Sequence, residues 1–549
     1  MAKIPGNKPP TSKTPATEAE PTKKNAEAPR APKTKVKGRV LPKPKPSIGD
    51  KFEDAMGKGL DKTLHAMTKA GLAEPIIKKG LKIAGAPGAS KDTPPEFLEG
   101  IAKSAANILR GEYGCRATKK SFEERSGNFI SQALQGSPMG EELKEVDAFH
   151  NEAFVREMEQ TSGARFSDGN KVEFLIDGPQ SFGKRFELID NAKESISLMT
   201  WHIYEDDTGI EMCKRIAAKA REGVEVKVIV DDKIAMRSTG EKTLKVLEEA
   251  GAKVIRWSDP ENCAVGNHCK LMIIDNEAAV VGGMNPGNVY SHASQTEAVE
   301  SYDGPKWRDT DMLVEGPAVI DNLELFAAFW NEQVFAFSEV YDPEIYGTVY
   351  ADKDALLAKV GKPGKSKAAV VNHVPDDDNF KIYSSILKAI DGATKTIDIE
   401  NAYFLNLPGL EQLLQAALMR GVQVRILTNS KTSVDEPLVS EPIMKSLPEL
   451  VESGAEVYLK KGDTLHSKFM IVDGSFVSVG SLNLHPRSLF YDAEMAMSLI
   501  DPDAAATLGK AFENDLEDKF AQKIDKTADL KVKSTWYNRF IKKYFYDHL

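Results

Sequence analysis

Two stretches of this 549-residue sequence share one arrangement of residues able to do chemistry. Asn267-His268-Cys269-Lys270 runs through Leu271-Met272-Ile273-Ile274 to Asp275, and Leu465-His466-Ser467-Lys468 runs through Phe469-Met470-Ile471-Val472 to Asp473. Each then reaches a small-residue turn ending in asparagine, Gly282-Gly283-Met284-Asn285 and Gly480-Ser481-Leu482-Asn483. A neutral imidazole is a nucleophile near pH 7, and a second, protonated one is an acid for a departing alcohol. Two lysines and two asparagines supply donors that can surround phosphate oxygens as charge shifts in the transition state. The set therefore permits phosphodiester cleavage through a covalent phosphohistidine. One histidine attacks phosphorus; the other protonates the leaving oxygen and then deprotonates the incoming alcohol or water. Lysine is a poor metal ligand at neutral pH and no Asp/Glu/His cluster at ligand spacing accompanies it, so neither a metal nor another cofactor is expected. A lone histidine is more often a surface or hydrogen-bonded residue than a catalyst. Two copies that reproduce His, Lys, Asp and Asn at one spacing argue against that reading.

The elements that must hold these residues are legible around them. In a strand, side chains alternate, so His268 and Lys270 share a face while Cys269 points away as a core cysteine. The apolar run after each lysine reads as a buried strand. Asp275 and Asp473, at the far ends of those strands, are expected to brace the site rather than touch substrate. Upstream, strand Val172–Ile176, helix Phe182–Ala192, strand Ser195–His202, a helix ending near Arg221 and strand Val224–Val230 predict a mixed or parallel sheet with helices on its faces. The order recurs as helix Phe380–Ala393, strand Thr396–Ile399, helix Leu407–Arg420 and strand Val422–Leu427. Gly223 lies 45 residues before His268, and Gly421 lies 45 before His466. The shared offset points to duplication of whole domains, one over 165–345 and one over 366–525, with a linker at 346–365.

The surrounding residues carry a family resemblance. The paired His-x-Lys-x4-Asp motifs resemble those of the phospholipase D superfamily, and their context is similar to its bacterial cardiolipin synthase branch. Matching features are Trp307-Arg308-Asp309-Thr310 before Glu315-Gly316-Pro317, Asn401-Ala402-Tyr403-Phe404, and Asn483-Leu484-His485-Pro486-Arg487-Ser488 followed by Glu494. The resemblance covers roughly residues 170–520. It implies an α/β fold of two tandem phospholipase D-like α/β/α sandwich domains with pseudo-twofold symmetry. It also implies that His268 is the nucleophile and His466 the acid/base. Asp309 and Glu494 are then each expected to hold the imidazole of their own half through the ring nitrogen not used in catalysis. The candidate catalytic set is thus His268, Lys270, Asp275, His466, Lys468 and Asp473, with Asn285, Asn483, Asp309 and Glu494 supporting it or binding phosphate.

Composition bounds the partners. A hydrophobic share of 41% and a charged share of 28% are those of a soluble globular protein. Residues 1–48 hold twelve Lys or Arg against three Glu, leaving 60 basic and 79 acidic residues elsewhere, or −19. That acidic body argues against a track for long nucleic acids, which need basic surface. The tail, with ten of the 29 prolines, reads as disordered. It is either a solvated arm or a polybasic segment drawn to an anionic membrane surface. Residues 49–164 read as a helical region, docked on the protein or lying on a membrane. The aromatic and basic residues of 526–549 suit a headgroup boundary. The resembling branch usually begins with hydrophobic membrane helices, which this sequence lacks. A phospholipid substrate, a peripheral place on the inner face of the cell membrane and a cytoplasmic body are expected. Four reactions or roles remain open on residues alone: phosphatidyl transfer that forms cardiolipin from two phosphatidylglycerols, hydrolysis to phosphatidic acid, nuclease action, and non-catalytic lipid binding.

Overall fold

The strands after each lysine are apolar at every position because both of their faces are covered. In the computed structural model, which describes residues 147–232, 241–260, 265–292, 304–375 and 380–532, Leu271 and Ile273 face one core while Met272 and Ile274 face another. Phe469 and Ile471 share the first of these cores, and Met470 and Val472 face a third. Alternation along a strand with helices on both faces gives this three-core arrangement directly.

The first half contributes β1 (Ser167–Ile176), β2 (Ser195–Thr200), β3 (Glu225–Asp231), β4 (Lys253–Trp257), β5 (Gly266–Asn267), β6 (Leu271–Ile274), β7 (Ala278–Gly282), β8 (Trp307–Arg308) and β9 (Thr310–Glu315). The second contributes β10 (Ser366–His373), β11 (Thr396–Asn401), β12 (Gln423–Asn429), β13 (Glu456–Lys460), β14 (Thr464–Leu465), β15 (Lys468–Val472), β16 (Phe476–Gly480), β17 (Asp492–Ile500) and β18 (Ala521–Lys523). From the outer edge inward the first half runs β4-β3-β2-β6-β7-β9-β1, and the second runs β13-β12-β11-β15-β16-β17-β10 inside β18. The two orders are the same order. They meet where β1 pairs antiparallel with β10, so one sheet passes through both halves. This is the mixed α/β architecture that the repeat predicts.

The helices obey the same repeat. Asp207–Arg221, capped by Asp206 accepting from the Gly209 amide, and Asp177–Asn191 cover the outer face of the first half. Lys381–Gly392 and Leu410–Met419 cover that of the second. Between the halves lies the central core, into which Ala318–Ala336 sends Phe326 and Trp330, and Pro502–Asp515 sends Leu508 and Phe512. Cys269 belongs to this core, as strand parity requires.

Two expectations need amending. The segment 346–365, read as a linker, contains the helix Lys353–Val360, started by Asp352 accepting from the Ala355 amide. Residues 147–164, read as part of a separate helical region, belong to the second half: Phe149 stacks on Phe476 at 5.0 Å, and Lys388 pairs with Glu157 at 2.6 Å. The tail, the helices proposed before residue 147 and the aromatic segment after residue 532 lie outside the described residues. Among the described residues no helix is long and apolar enough to cross a membrane.

Candidate active site

Each motif histidine stands where a short strand of one half pairs with the other half. β5 runs parallel to the start of β17, with Asn267 opposite Ala493, and the His268 amide donates to the Ala493 carbonyl at 2.8 Å. β14 runs parallel to β8, with Leu465 opposite Arg308, and the His466 amide donates to the Arg308 carbonyl at 2.7 Å. The residue after each of those carbonyl carriers is an acid. Glu494 and Asp309 are thereby delivered to the opposite histidine.

That delivery corrects the expected pairing. His268 Nδ1 meets the Glu494 oxygens at 3.1 and 3.0 Å, and His466 Nδ1 meets Asp309 Oδ2 at 2.7 Å. Each carboxylate therefore holds the imidazole of the other half, not its own. The reason is topological, because the parallel β5–β17 and β8–β14 pairs exchange strands between halves. With Nδ1 engaged, Nε2 of each ring is the nitrogen left for chemistry.

The carboxylates are themselves held. Ser488 Oγ donates to Glu494 at 2.7 Å, and Ser481 Oγ makes a second, very short bond to it. Asp309 accepts from the Thr310 amide at 2.7 Å. Where Ser481 stands in the second half, the first has Gly283, whose Cβ would lie 2.3 Å from an Asp309 oxygen. Glycine there is what lets the Asp309 carboxylate in.

Both lysines turn back over their histidines. Lys270 Nζ donates to the His268 carbonyl at 2.6 Å; Lys468 Nζ donates to the His466 carbonyl and lies 2.9 Å from His466 Nδ1. Burial pushes Lys270 down to about 7 and Lys468 down to about 8, and the charge of Lys468 lowers Lys270 further. Burial, followed by the charge of Lys270, holds His268 well below the ordinary imidazole range; burial and Lys468 do the same to His466. Burial pushes Glu494 up to about 8, and it raises Asp309. The common direction is toward neutral groups in a dry site, so an arriving phosphate anion would find donors that cost little to recharge against it.

Aromatic rings wall the histidines. Trp307 stacks on His466 at 4.9 Å, Tyr290 meets the same ring edge-on at 5.2 Å, and Trp201 meets His268 edge-on at 6.0 Å. Behind Asp309, Arg308 is fully buried and donates to Asp515 at 2.9 and 3.0 Å, 3.8 Å from Glu400. Against the cost of burial, Asp515, Glu400 and Asp177 keep its guanidinium above its ordinary value. This cluster clamps β8 of the first half to the second.

The remaining predicted residues lie elsewhere. Asp275 sits past β6 at positive φ and accepts from the Lys193, Glu194 and Ser195 amides at 2.7–3.1 Å. Asp473 repeats this with the Thr394, Lys395 and Thr396 amides at 2.7–2.9 Å. Both tie a helix-to-strand loop to the far end of the motif strand, away from the histidines. Asn285 is committed to Thr200 and Tyr290. Asn483 keeps its Oδ1, an acceptor, buried without a partner. Trp201, Tyr290, Ser481 and the clamp role of Arg308 were missed from sequence. Only the Trp307-Arg308-Asp309-Thr310 and Arg487-Ser488 runs hinted at them.

Two exchanged His–carboxylate pairs, with a lysine folded over each histidine, make an arrangement able to carry phosphodiester exchange through histidine. Residues 186–300 and 386–516 match the family model described as the cardiolipin synthase, phospholipase D-like domain. The chain is 28% identical over 360 residues to a cardiolipin synthase of Listeria monocytogenes, covering 64% of this chain and 70% of that one. It is 28% identical over 378 residues to the major cardiolipin synthase of Bacillus subtilis, covering 67% and 73%. In fold it is similar to the crystal structure of phosphatidylserine synthase from Haemophilus influenzae, with a TM-score of 0.55 and 18% identity over 71% of this chain and 96% of that one. Both halves thus match the phospholipase D-like domain of cardiolipin synthases, and the chain is cardiolipin synthase-like.

Proposed function

We propose that the protein is a phosphatidyltransferase that forms cardiolipin from two phosphatidylglycerols and releases glycerol. The observation that carries the mechanism is the exchanged pairing of His268 with Glu494 and His466 with Asp309. It leaves Nε2 free on two imidazoles from opposite halves that lie within electrostatic reach of each other. The phosphate anion, once bound beside His466, favours its protonated ring; His268 Nε2 then attacks phosphorus, and the electron pair of the breaking P–O bond leaves with glycerol oxygen, which takes the Nε2 proton of His466. His466 then accepts the proton of the incoming hydroxyl as its oxygen displaces His268. Lys270 and Lys468 stabilise the equatorial oxygens. Glu494 and Asp309 each stabilise the imidazolium that forms beside them. His268 is the more open of the two rings, with 13% of its side chain exposed against 6% for His466, which supports its role as nucleophile. The substrate is a phospholipid, and action at the inner face of the cell membrane completes the reading.

Hydrolysis to phosphatidic acid uses the same intermediate and is the second reading. Purified protein incubated with phosphatidylglycerol vesicles separates them. Cardiolipin with equimolar glycerol is expected; phosphatidic acid as the main product would select the hydrolase, and untouched lipid would sink both.

A further inference from the structure

Within electrostatic reach of His466 is a carboxylate that the transfer mechanism leaves unused. Asp435 lies in the exposed segment between β12 and the helix that begins at Pro437. Tyr403 donates its hydroxyl to that carboxylate, 2.8 and 2.9 Å from its two oxygens. Tyr403 is itself seated at the site. It follows Asn401, the cross-strand neighbour of Lys468, and its amide donates to Asn401 Oδ1 at 3.2 Å. Its ring meets His485 edge-on at 5.4 Å, two residues beyond Asn483. The negative charge of Asp435 reaches His466 and Lys468, and Tyr204 and Tyr290 as well. On the His268 side the extra acid, Asp492, already has a cation as partner: Arg487 lies 3.3 Å from it.

An anionic phosphodiester gains nothing from a nearby carboxylate, whereas hydroxyl groups do, through charge-assisted hydrogen bonds. Two carboxylate oxygens offer about four acceptor sites, and one tyrosine hydroxyl leaves most of them free. The acid/base histidine is where the alcohol leaves and enters. An acid placed there, beyond the two that hold imidazoles, is placed to read the alcohol.

We propose that Asp435, oriented by Tyr403, selects a vicinal diol as the alcohol exchanged at His466. The inference rests on the phosphatidyl-transfer reading and adds its acceptor specificity. The free end of a glycerol headgroup carries a primary and a secondary hydroxyl on adjacent carbons. The secondary hydroxyl donates to Asp435 while the primary one faces His466. As the primary oxygen bonds to phosphorus, its proton passes to His466, and the P–N bond breaks with its electron pair returning to His268. Water has no second hydroxyl to offer Asp435 in this pose, so the same contact favours transfer over hydrolysis.

The test supplies full-length protein with phosphatidylglycerol vesicles and equimolar isotope-labelled glycerol and 1-propanol, and separates the lipid products. The unaltered protein is expected to favour diol-derived products, labelled phosphatidylglycerol and cardiolipin, over phosphatidylpropanol. Asp435→Ala should lower that ratio by about tenfold, the worth of one charge-assisted hydrogen bond. Tyr403→Phe, which leaves the carboxylate but frees its orientation, should lower it a few-fold. Because the readout is a ratio of products from one intermediate, a general loss of rate does not imitate it. An unchanged ratio in whichever of these variants turns over would overturn the inference. Cardiolipin formation with no preference for glycerol over propanol in the unaltered protein would overturn it alone, leaving phosphatidyl transfer intact. No phosphatidyl product of any kind would overturn both.

Discussion

The two halves share one backbone plan and differ in how they hold a histidine. In the first half, Asp309 is short and reaches His466 only because Gly283 clears space for it. In the second, Glu494 is one methylene longer, reaches His268 and is steadied by Ser481 and Ser488. Behind Asp309 stands Arg308 with its buried acids; at the mirror position before Glu494 stands Ala493, a neutral core residue. His466 is stacked against Trp307 and near Asp435, whereas His268 is more open and near Arg487. The lesson is that symmetry of strands does not impose symmetry of chemistry. A duplicated scaffold brings two imidazoles within electrostatic reach of each other, and unlike surroundings assign them unlike work.

The sharpest break of that comparison is at the histidines. His268→Ala should lower turnover a thousandfold or more, roughly the upper range for a group doing nucleophilic or acid/base work. His466→Asn should leave a phosphohistidine that accumulates, detectable as label retained on denatured protein from phosphate-labelled lipid. Retention in the His268 variant instead would reverse the assignment.

The carboxylates come next. Glu494→Gln and Asp309→Asn should each cost roughly a hundredfold, but at different steps. Rapid-quench measurements should find slower formation of the phosphoenzyme in the first variant and slower breakdown in the second. Equal effects on both steps would mean that the exchanged pairings do not divide the labour.

A smaller effect is expected from pH. Burial places Lys270 at about 7 and Lys468 at about 8, so the free site loses positive charge as pH rises through that window. The sign follows: a phosphate is bound best below it, and kcat/KM should fall by about tenfold per unit above about pH 8 once a needed lysine is neutral. A profile flat from pH 7 to 10 would show that substrate finds the lysines charged regardless.

Least affected should be variants at the mirror turns. Asp275→Ala and Asp473→Ala each remove a carboxylate that caps three backbone amides, and each leaves a non-glycine residue at positive φ. A loss of about 2 kcal/mol in urea unfolding is expected for each, with the turnover of folded protein close to that of the parent. A large loss of turnover at either aspartate, with stability intact, would move it into the chemistry.

Much of this was legible in the chain itself. The paired motifs, the 45-residue offset and the alternating elements announce two like halves, because strand and helix periodicities and turn glycines act over a few residues. The chemistry was legible for the same reason: His, Lys and Asn side chains can do few things with a phosphate. What only tertiary structure decided is who serves whom. Glu494 is 226 residues from His268 and Asp309 is 157 from His466, and no local rule says that β5 and β14 will each cross to the opposite half. Nor does the sequence join Tyr403 to Asp435, 32 residues apart, within electrostatic reach of His466. Those pairings are set by strand register and by packing of the two halves on a common core. Such contacts are long-range, and they exist only once the whole fold has closed.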